Sequence, residues 1–341
     1  MPPVHLVKTN LKPLIPPMSK PKVAFYWCAS CGGCEETVVD LAEDILGVVE
    51  KVDIVLWPVA MDFKYKDVEA MPDKSILATL LNGAIRSTEQ EEMARLLRRK
   101  SQYMIAYGAC AHLGGIPGLA NQFTREHILK FNYEDGPAMA NEKKTRPQLV
   151  TEENGRTPRL PALTNVVRSL DQVVEVDYYV PGCPPTPKIT RAAVTALLEN
   201  RLPPKGSVIA PDIALCNECP RKATKPANIS FREFKRPHQA IMDPEKCFLA
   251  QGVVCMGPST RSGCEAACIS GGMPCTGCFG PTSRVHDQGL KIMSSLCSNL
   301  EPKDEQGISA VLQGIPDPIG TFYRYGLAKS LLRRKVNLPT D

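Results

Sequence analysis

The sequence predicts an α/β protein, a doubly wound parallel sheet followed by an irregular cysteine-rich region. Three observations predict it. Apolar, β-rich runs alternate with helical stripes as far as about residue 205. Several of those runs end on glycine- or proline-containing turns that carry cysteine. After Leu202 the periodicity disappears, while eight cysteines fall between Cys216 and Cys278.

The elements follow in order. Residues 1–20 read as an N-terminal extension, because Pro2, Pro3, Pro13, Pro16 and Pro17 forbid a regular helix. Met18, just before the first strand, is a candidate start. The first strand is Val23-Ala24-Phe25-Tyr26-Trp27, followed by a loop with Cys28, Cys31 and Cys34. Val38, Leu41, Ile45, Val49 and Val52 then recur at helical spacing, which predicts one helix from Glu35 to Val52. Glu35 and Glu36 sit in its first turn, where the helix dipole favours acids. Val52 to Trp57 predicts a second strand, Ser75 to Leu81 a third, and Thr88 to Lys100 a helix with Met93, Leu96 and Leu97 inward. The fourth strand is Gln102 to Tyr107, ending at Gly108-Ala109-Cys110. Residues 131–162 read as a long, solvated surface insertion. Val173 to Val180 predicts a fifth strand, ending at Pro181-Gly182-Cys183-Pro184-Pro185, and the next helix runs to Leu198 from Thr186 or Pro187.

This alternation predicts a parallel sheet wound on both faces. Cys31, Cys34, Cys110 and Cys183 then lie past the carboxyl ends of strands, the edge at which open α/β sheets build their sites. The domains read as 1–20 extension, 21–205 sheet domain and 206–341 cysteine-rich domain. The last lacks periodicity, so it is expected to have no core of its own and to be held by bound metal. Arg333-Arg334-Lys335 reads as a solvated helix terminus.

The 341 residues carry 41 basic and 36 acidic side chains, a formal charge of +5. That balance is too mild to imply nucleic acid. No secretory or twin-arginine signal and no membrane-length apolar run is visible, so the chain is expected in the cytoplasm. Close-set thiols there point to metal rather than disulfides. The C-terminal cysteines read Cys216-x2-Cys219-x27-Cys247-x7-Cys255-x8-Cys264-x3-Cys268-x6-Cys275-x2-Cys278, two sets of four. The upstream four make a third. Compact zinc sites use two pairs around a modest spacer. Here cysteines also stand singly among Gly and Pro, which let backbone wrap an inorganic core and aim N–H groups at sulfur. That favours iron–sulfur clusters and an electron carrier over a zinc-bearing interaction protein.

The motifs resemble those of nickel–iron hydrogenase small subunits. Cys31-Gly32-Gly33-Cys34-Glu35-Glu36, Gly108-Ala109-Cys110-x3-Gly114-Gly115 and Pro181-Gly182-Cys183-Pro184-Pro185 are similar to that family's proximal-cluster motifs. Cys247 through Cys278, with Gly257-Pro258 and Thr260-Arg261, resembles its medial and distal region. Within the family, resemblance is greatest to the cytoplasmic, group 3 type of the methyl viologen-reducing (non-deazaflavin-reducing) hydrogenases, which work with heterodisulfide reductase in methanogens and some other anaerobes. Departures from periplasmic members fit this: no twin-arginine signal, Cys216 in place of a histidine, and Cys268 as a fourth medial thiolate.

The resemblance implies a flavodoxin-like sheet domain and three [4Fe–4S] clusters. Cys31, Cys34, Cys110 and Cys183 would hold the proximal cluster. Cys264, Cys268, Cys275 and Cys278 would hold the medial one, and Cys216, Cys219, Cys247 and Cys255 the distal one. Cys255 and Cys264 could exchange roles. It also implies a nickel–iron large (catalytic) subunit as partner, since no nickel site is evident in this chain, and an iron–sulfur acceptor subunit linked to heterodisulfide reductase. Cys28 and Cys297 are left over and read as buried small apolar residues. Cys28 and Asp62 remain alternative ligands, Glu36 a group beside the cluster able to relay protons, and His112 a structural hydrogen-bonder. Deazaflavin-reducing and nicotinamide-linked hydrogenases are the same carrier with another acceptor. The related complex I subunit shares only the first domain.

Overall fold

The structure, a computed structural model, describes residues 20–332. The extension before residue 20 and the Arg333-Arg334-Lys335 terminus lie outside the described residues. The strands are β1 Lys22–Trp27, β2 Asp53–Leu56, β3 Ile76–Asn82, β4 Ile85–Ser87, β5 Ser101–Tyr107, β6 Leu163–Arg168, β7 Tyr178–Val180 and β8 Ser207–Val208. The helices are α1 Gly33–Val39, α2 Asp44–Val49, α3 Tyr65–Ala70, α4 Thr88–Lys100, α5 Ala109–Leu113, α6 Arg125–Lys130, α7 Pro187–Leu198, α8 Ala267–Ser270, α9 Gln288–Ser298, α10 Glu305–Leu312 and α11 Pro318–Phe322.

Six strands form one sheet in the order β2-β1-β3-β5-β7-β8, every neighbouring pair parallel. Counting this sheet's strands alone, the order begins 2-1-3-4-5, the flavodoxin-type winding. The pleat sends alternate side chains to opposite faces. Val23, Phe25, Leu80, Ile105 and Tyr107 pack with Val38 of α1 and Ile189, Ala193 and Leu197 of α7. Ala24, Leu81, Met104 and Ala106 pack with Met93, Leu96 and Leu97 of α4. Ser87 caps α4, accepting from the Gln90 N–H while Gln90 reaches back to the Ser87 N–H. Among the described residues no helix is long and apolar enough to cross a membrane.

Several expectations are corrected. The single helix over 35–52 is two, α1 and α2, because the chain turns at Ala42 with φ +51°. The stripe survives the break, with Val38, Leu41 and Val52 all buried. The fifth strand is only β7. A 3₁₀ turn at Leu170–Gln172 extends its bonding to the N–H groups of Val173 and Val174, so the strand starts late. The antiparallel pair β4–β6 and the short α3 had no periodic signal. The excursion over 131–162 is largely irregular and exposed, as expected.

The C-terminal region does have its own core. Phe231, Phe248, Leu249, Met256, Ile269, Ile292, Leu296, Leu300 and Phe322 pack together from loops, 3₁₀ turns and helices α8, α9 and α11. Each such side chain contributes about 1.5–3 kcal/mol when fully buried. The apolar residues are scattered singly between turns, so no period announces them. In α9 the signal existed: Ile292 and Leu296, four apart, form its buried face.

Candidate functional site

The C-terminal ends of β1, β5 and β7 bring the first thiol group together. Cys31 follows β1, and Cys34 lies in the first turn of α1. Cys110 lies in α5, which starts directly after β5, and Cys183 follows β7. Burial pushes the Cys34 thiol up, and Cys110, Cys183 and Cys31 push it further, so the other three sulfurs lie within electrostatic reach of it. Burial raises Cys110 to about 12, with Cys183 and Cys31 adding and the Ile116 N–H opposing. Cys183 is raised by burial and by Cys31. Cys34 and Cys110 are buried; Cys31 and Cys183 are exposed.

Two glycines shape this group. A Cβ on Gly108 would lie 2.3 Å from the Cys34 sulfur, and one on Gly115 would lie 2.4 Å from the Cys110 sulfur. Both adopt the positive φ that glycine tolerates, +90° and +57°.

The eight later cysteines fall into two neighbourhoods. Burial raises Cys216; Cys219 and Cys247 act on it and Lys225 opposes. Burial pushes Cys255 up to about 11, opposed by the N–H groups of Gly257 and Cys275, with Cys216 and Cys247 adding. Gly257 sits between these sulfurs, its missing Cβ 3.4 Å from Cys216 and 3.6 Å from Cys255. In the other neighbourhood burial raises Cys264, with the Ala266 and Ala267 N–H groups opposing and Glu218 and Cys268 adding. Burial pushes Cys278 up to about 12, with Cys264, Cys183 and Cys268 adding and the Cys183 N–H opposing. Cys275 is held well above the ordinary thiol value by burial, then by Cys255 and Cys278. Cys255 thus neighbours Cys216 and Cys247 but also Cys275, and Cys264 neighbours Cys268 and Cys278.

These groups fit iron–sulfur clusters. Buried thiols resist ionising unless a cation compensates them, and the neighbours supplied here are mainly other thiols and backbone N–H groups. Glycine makes room, and N–H groups aimed at sulfur are the usual second layer of such sites. Among the described residues no three His, Cys, Asp or Glu side chains gather closely enough for a single metal ion.

The remaining candidates fall elsewhere. Cys28 is 5% exposed and packs in the sheet core. Cys297 is exposed on α9, which corrects its reading as a buried residue. Asp62 is exposed beyond β2, at the edge of the sheet. His112 is buried and packs against the ring of Tyr179, the centroids 4.7 Å apart and the planes tilted by 41°. Its Nδ1 has no hydrogen-bond partner among the described residues. Burial lowers its pKa to about 3, which keeps it neutral.

Glu36 is exposed. The buried glutamate is its neighbour Glu35, which accepts from Trp57 Nε1 and from Asn82 Nδ2. The signal was in the stripe: Glu35 stands three residues before Val38, on the buried face. Glu218, between Cys216 and Cys219, was also missed; its Oε1 accepts from the Gly263 N–H at 2.9 Å and lies 3.9 Å from the Cys264 sulfur.

Known proteins resemble the chain over most of its length. The family described as NADH ubiquinone oxidoreductase, 20 Kd subunit, matches residues 31–197. The F420-non-reducing hydrogenase iron–sulfur subunit of Archaeoglobus profundus is 39% identical over 318 residues, 92% of this chain and 98% of that protein. The corresponding F420-non-reducing hydrogenase subunit of Methanothermobacter thermautotrophicus is 34% identical over 321 residues, 93% of this chain and 97% of that protein. A chain from the crystal structure of an NAD+-reducing [NiFe]-hydrogenase in the H2-reduced state is 30% identical, with a TM-score of 0.47 over 54% of this chain and 94% of that one.

Proposed function

Because the chain belongs to the family of F420-non-reducing hydrogenase iron–sulfur subunits, we propose that it is the electron-carrying small subunit of a cytoplasmic nickel–iron hydrogenase. It pairs with a large subunit whose nickel–iron centre oxidises H2, and it passes electrons to an iron–sulfur acceptor subunit linked to heterodisulfide reductase. Three [4Fe–4S] clusters, when bound, supply the one-electron relay.

The observation that carries this reading is that cysteines far apart in sequence come together in neighbouring groups, each with at least one buried thiol: Cys34 and Cys110 in the first, Cys255 and Cys275 in the others. Cys31, Cys34, Cys110 and Cys183 are the proximal ligands, at the strand-end edge where Cys31 and Cys183 are exposed toward a partner. Cys264, Cys268, Cys275 and Cys278 are the medial ligands, and Cys216, Cys219, Cys247 and Cys255 the distal ones. Two contacts support this order. The Cys183 N–H acts on the Cys278 sulfur, proximal to medial. The Cys275 N–H acts on the Cys255 sulfur, medial to distal. Such N–H groups stabilise the thiolate and tune its site.

Replacing Cys183 and Cys297 separately in the complete complex tests the reading. Cys183→Ala is expected to cut H2-dependent dye reduction by at least about tenfold, as loss of a cluster ligand's support commonly does. It also removes one electron paramagnetic resonance signal, whereas Cys297→Ala leaves both unchanged. Equal behaviour of the two variants would sink the proximal assignment.

A further inference from the structure

We propose that Glu35 is a positioning residue: its buried carboxylate fixes the loop and first helical turn that carry Cys31 and Cys34. The inference rests on reading those cysteines as ligands. Glu35 is 5% exposed. One carboxylate oxygen accepts from the indole N–H of Trp57, just past β2, and the other from the Asn82 amide, at the end of β3, at 2.5 Å. One side chain of α1 thus ties down the ends of two strands.

The network continues into the cysteine loop. Asn82 Oδ1 accepts from the Ser30 hydroxyl at 2.8 Å, and the Asn82 amide also donates to the Tyr26 carbonyl at 3.3 Å. Ser30 Oγ accepts from the Gly32 N–H at 3.3 Å, and the Ser30 carbonyl accepts from Trp27 Nε1 at 3.2 Å. The Asn82 carbonyl accepts from the Cys28 N–H at 2.8 Å. Residues on both sides of Cys31 are therefore strung on Glu35 and Asn82.

The chemistry requires a carboxylate. Two N–H donors converge on residue 35, so it must present two acceptors. Glutamine would turn its NH2 against either the indole N–H or the Asn82 NH2. Asn82 cannot turn over to help, because its oxygen takes the Ser30 hydroxyl and its nitrogen serves the Tyr26 carbonyl. Neither Trp57 nor Asn82 is a cation, so burial of the carboxylate is costly for stability. An apolar residue of similar volume would remove that cost but leave the Trp57 N–H and the Asn82 NH2 without this acceptor. Holding the thiol-bearing loop in one arrangement is what the carboxylate offers in return.

The test uses the complete complex and electron paramagnetic resonance of the reduced centres. Glu35→Gln is expected to shift and broaden the signal of one centre and leave the other two unchanged. Adding Trp57→Phe removes the donor that clashes with the new NH2, which can then face the ring. The double variant is therefore expected to return that signal toward its original shape, an effect that simple loosening of the fold would not produce. Ser30→Ala is a milder change that preserves assembly, and it is expected to perturb the same centre. An unchanged signal in Glu35→Gln, or no recovery in the double variant, overturns the proposal. If Glu35→Gln fails to assemble, an unchanged signal in Ser30→Ala does so. Absence of any iron–sulfur signal in the unaltered complex overturns the underlying ligand reading, and this inference with it.

Discussion

At the scale of residues, the site is shaped as much by what is missing as by what is present. Gly108 and Gly115 leave no room for a methyl group beside the Cys34 and Cys110 sulfurs. Gly108→Ala is expected to displace Cys34 and cost about four iron atoms per chain, one cluster's worth. Gly206 is the control: its φ is +84°, yet nothing lies within 4 Å of an added Cβ. Gly206→Ala meets backbone strain of about 1–2 kcal/mol and no collision, so its iron content should be normal. Equal iron in both variants, by chemical assay, would contradict the cradle. Residue types and spacing made the twelve cysteines legible in the sequence, and the motif glycines came with them. Glu35 was harder to read. Helical phase marks it as the buried member of the Glu35–Glu36 pair, but its partners Trp57 and Asn82 come from strands whose neighbours only the fold reveals.

At the scale of elements, strands were legible where an apolar run met a sharp stop. β1, β3 and β5 end at a cysteine loop, at Asn82-Gly83 and at Gly108. β7 was over-read because Val173 and Val174 look like strand but are taken by the turn at Leu170–Gln172. Asp177, just before β7, locks that strand to its neighbours. Its side chain has no exposed surface and pairs with Arg98 at 2.5 Å and Lys205 at 2.6 Å, while the Met104 N–H donates to it at 2.8 Å. Burial alone would raise its pKa, but Lys205, the Met104 N–H and Arg98 outweigh burial and hold it below the ordinary value. A depressed carboxyl stabilises the fold fully above its unfolded pKa, about 3.9, and loses that contribution as pH falls through the lower folded value. Asp177→Asn is therefore expected to cost about 1–3 kcal/mol at neutral pH and to flatten the acid side of the stability profile below about pH 4. Denaturant unfolding at neutral and acid pH checks both. A loss of equal size at every pH would show that charge at Asp177 does not matter.

At the scale of the whole molecule, two cores meet at cysteine, with Cys264 packed against both. The sheet domain packs through two helical layers. The C-terminal region packs through Phe231, Phe248, Leu296 and their neighbours. The second core was illegible because its apolar residues are spread among turns, with no period to sum over. The contact between the regions was partly legible: cysteines at three strand ends predicted one group, but not that the Cys183 N–H would reach the Cys278 sulfur. The central claim is that three groups of four thiols each hold a four-iron cluster. Iron and acid-labile sulfide, measured per copy of this chain in the anaerobically purified complex and corrected for its partners, test it most directly. About twelve of each are expected. Reproducible recovery of about eight, or of zinc without sulfide, would contradict it.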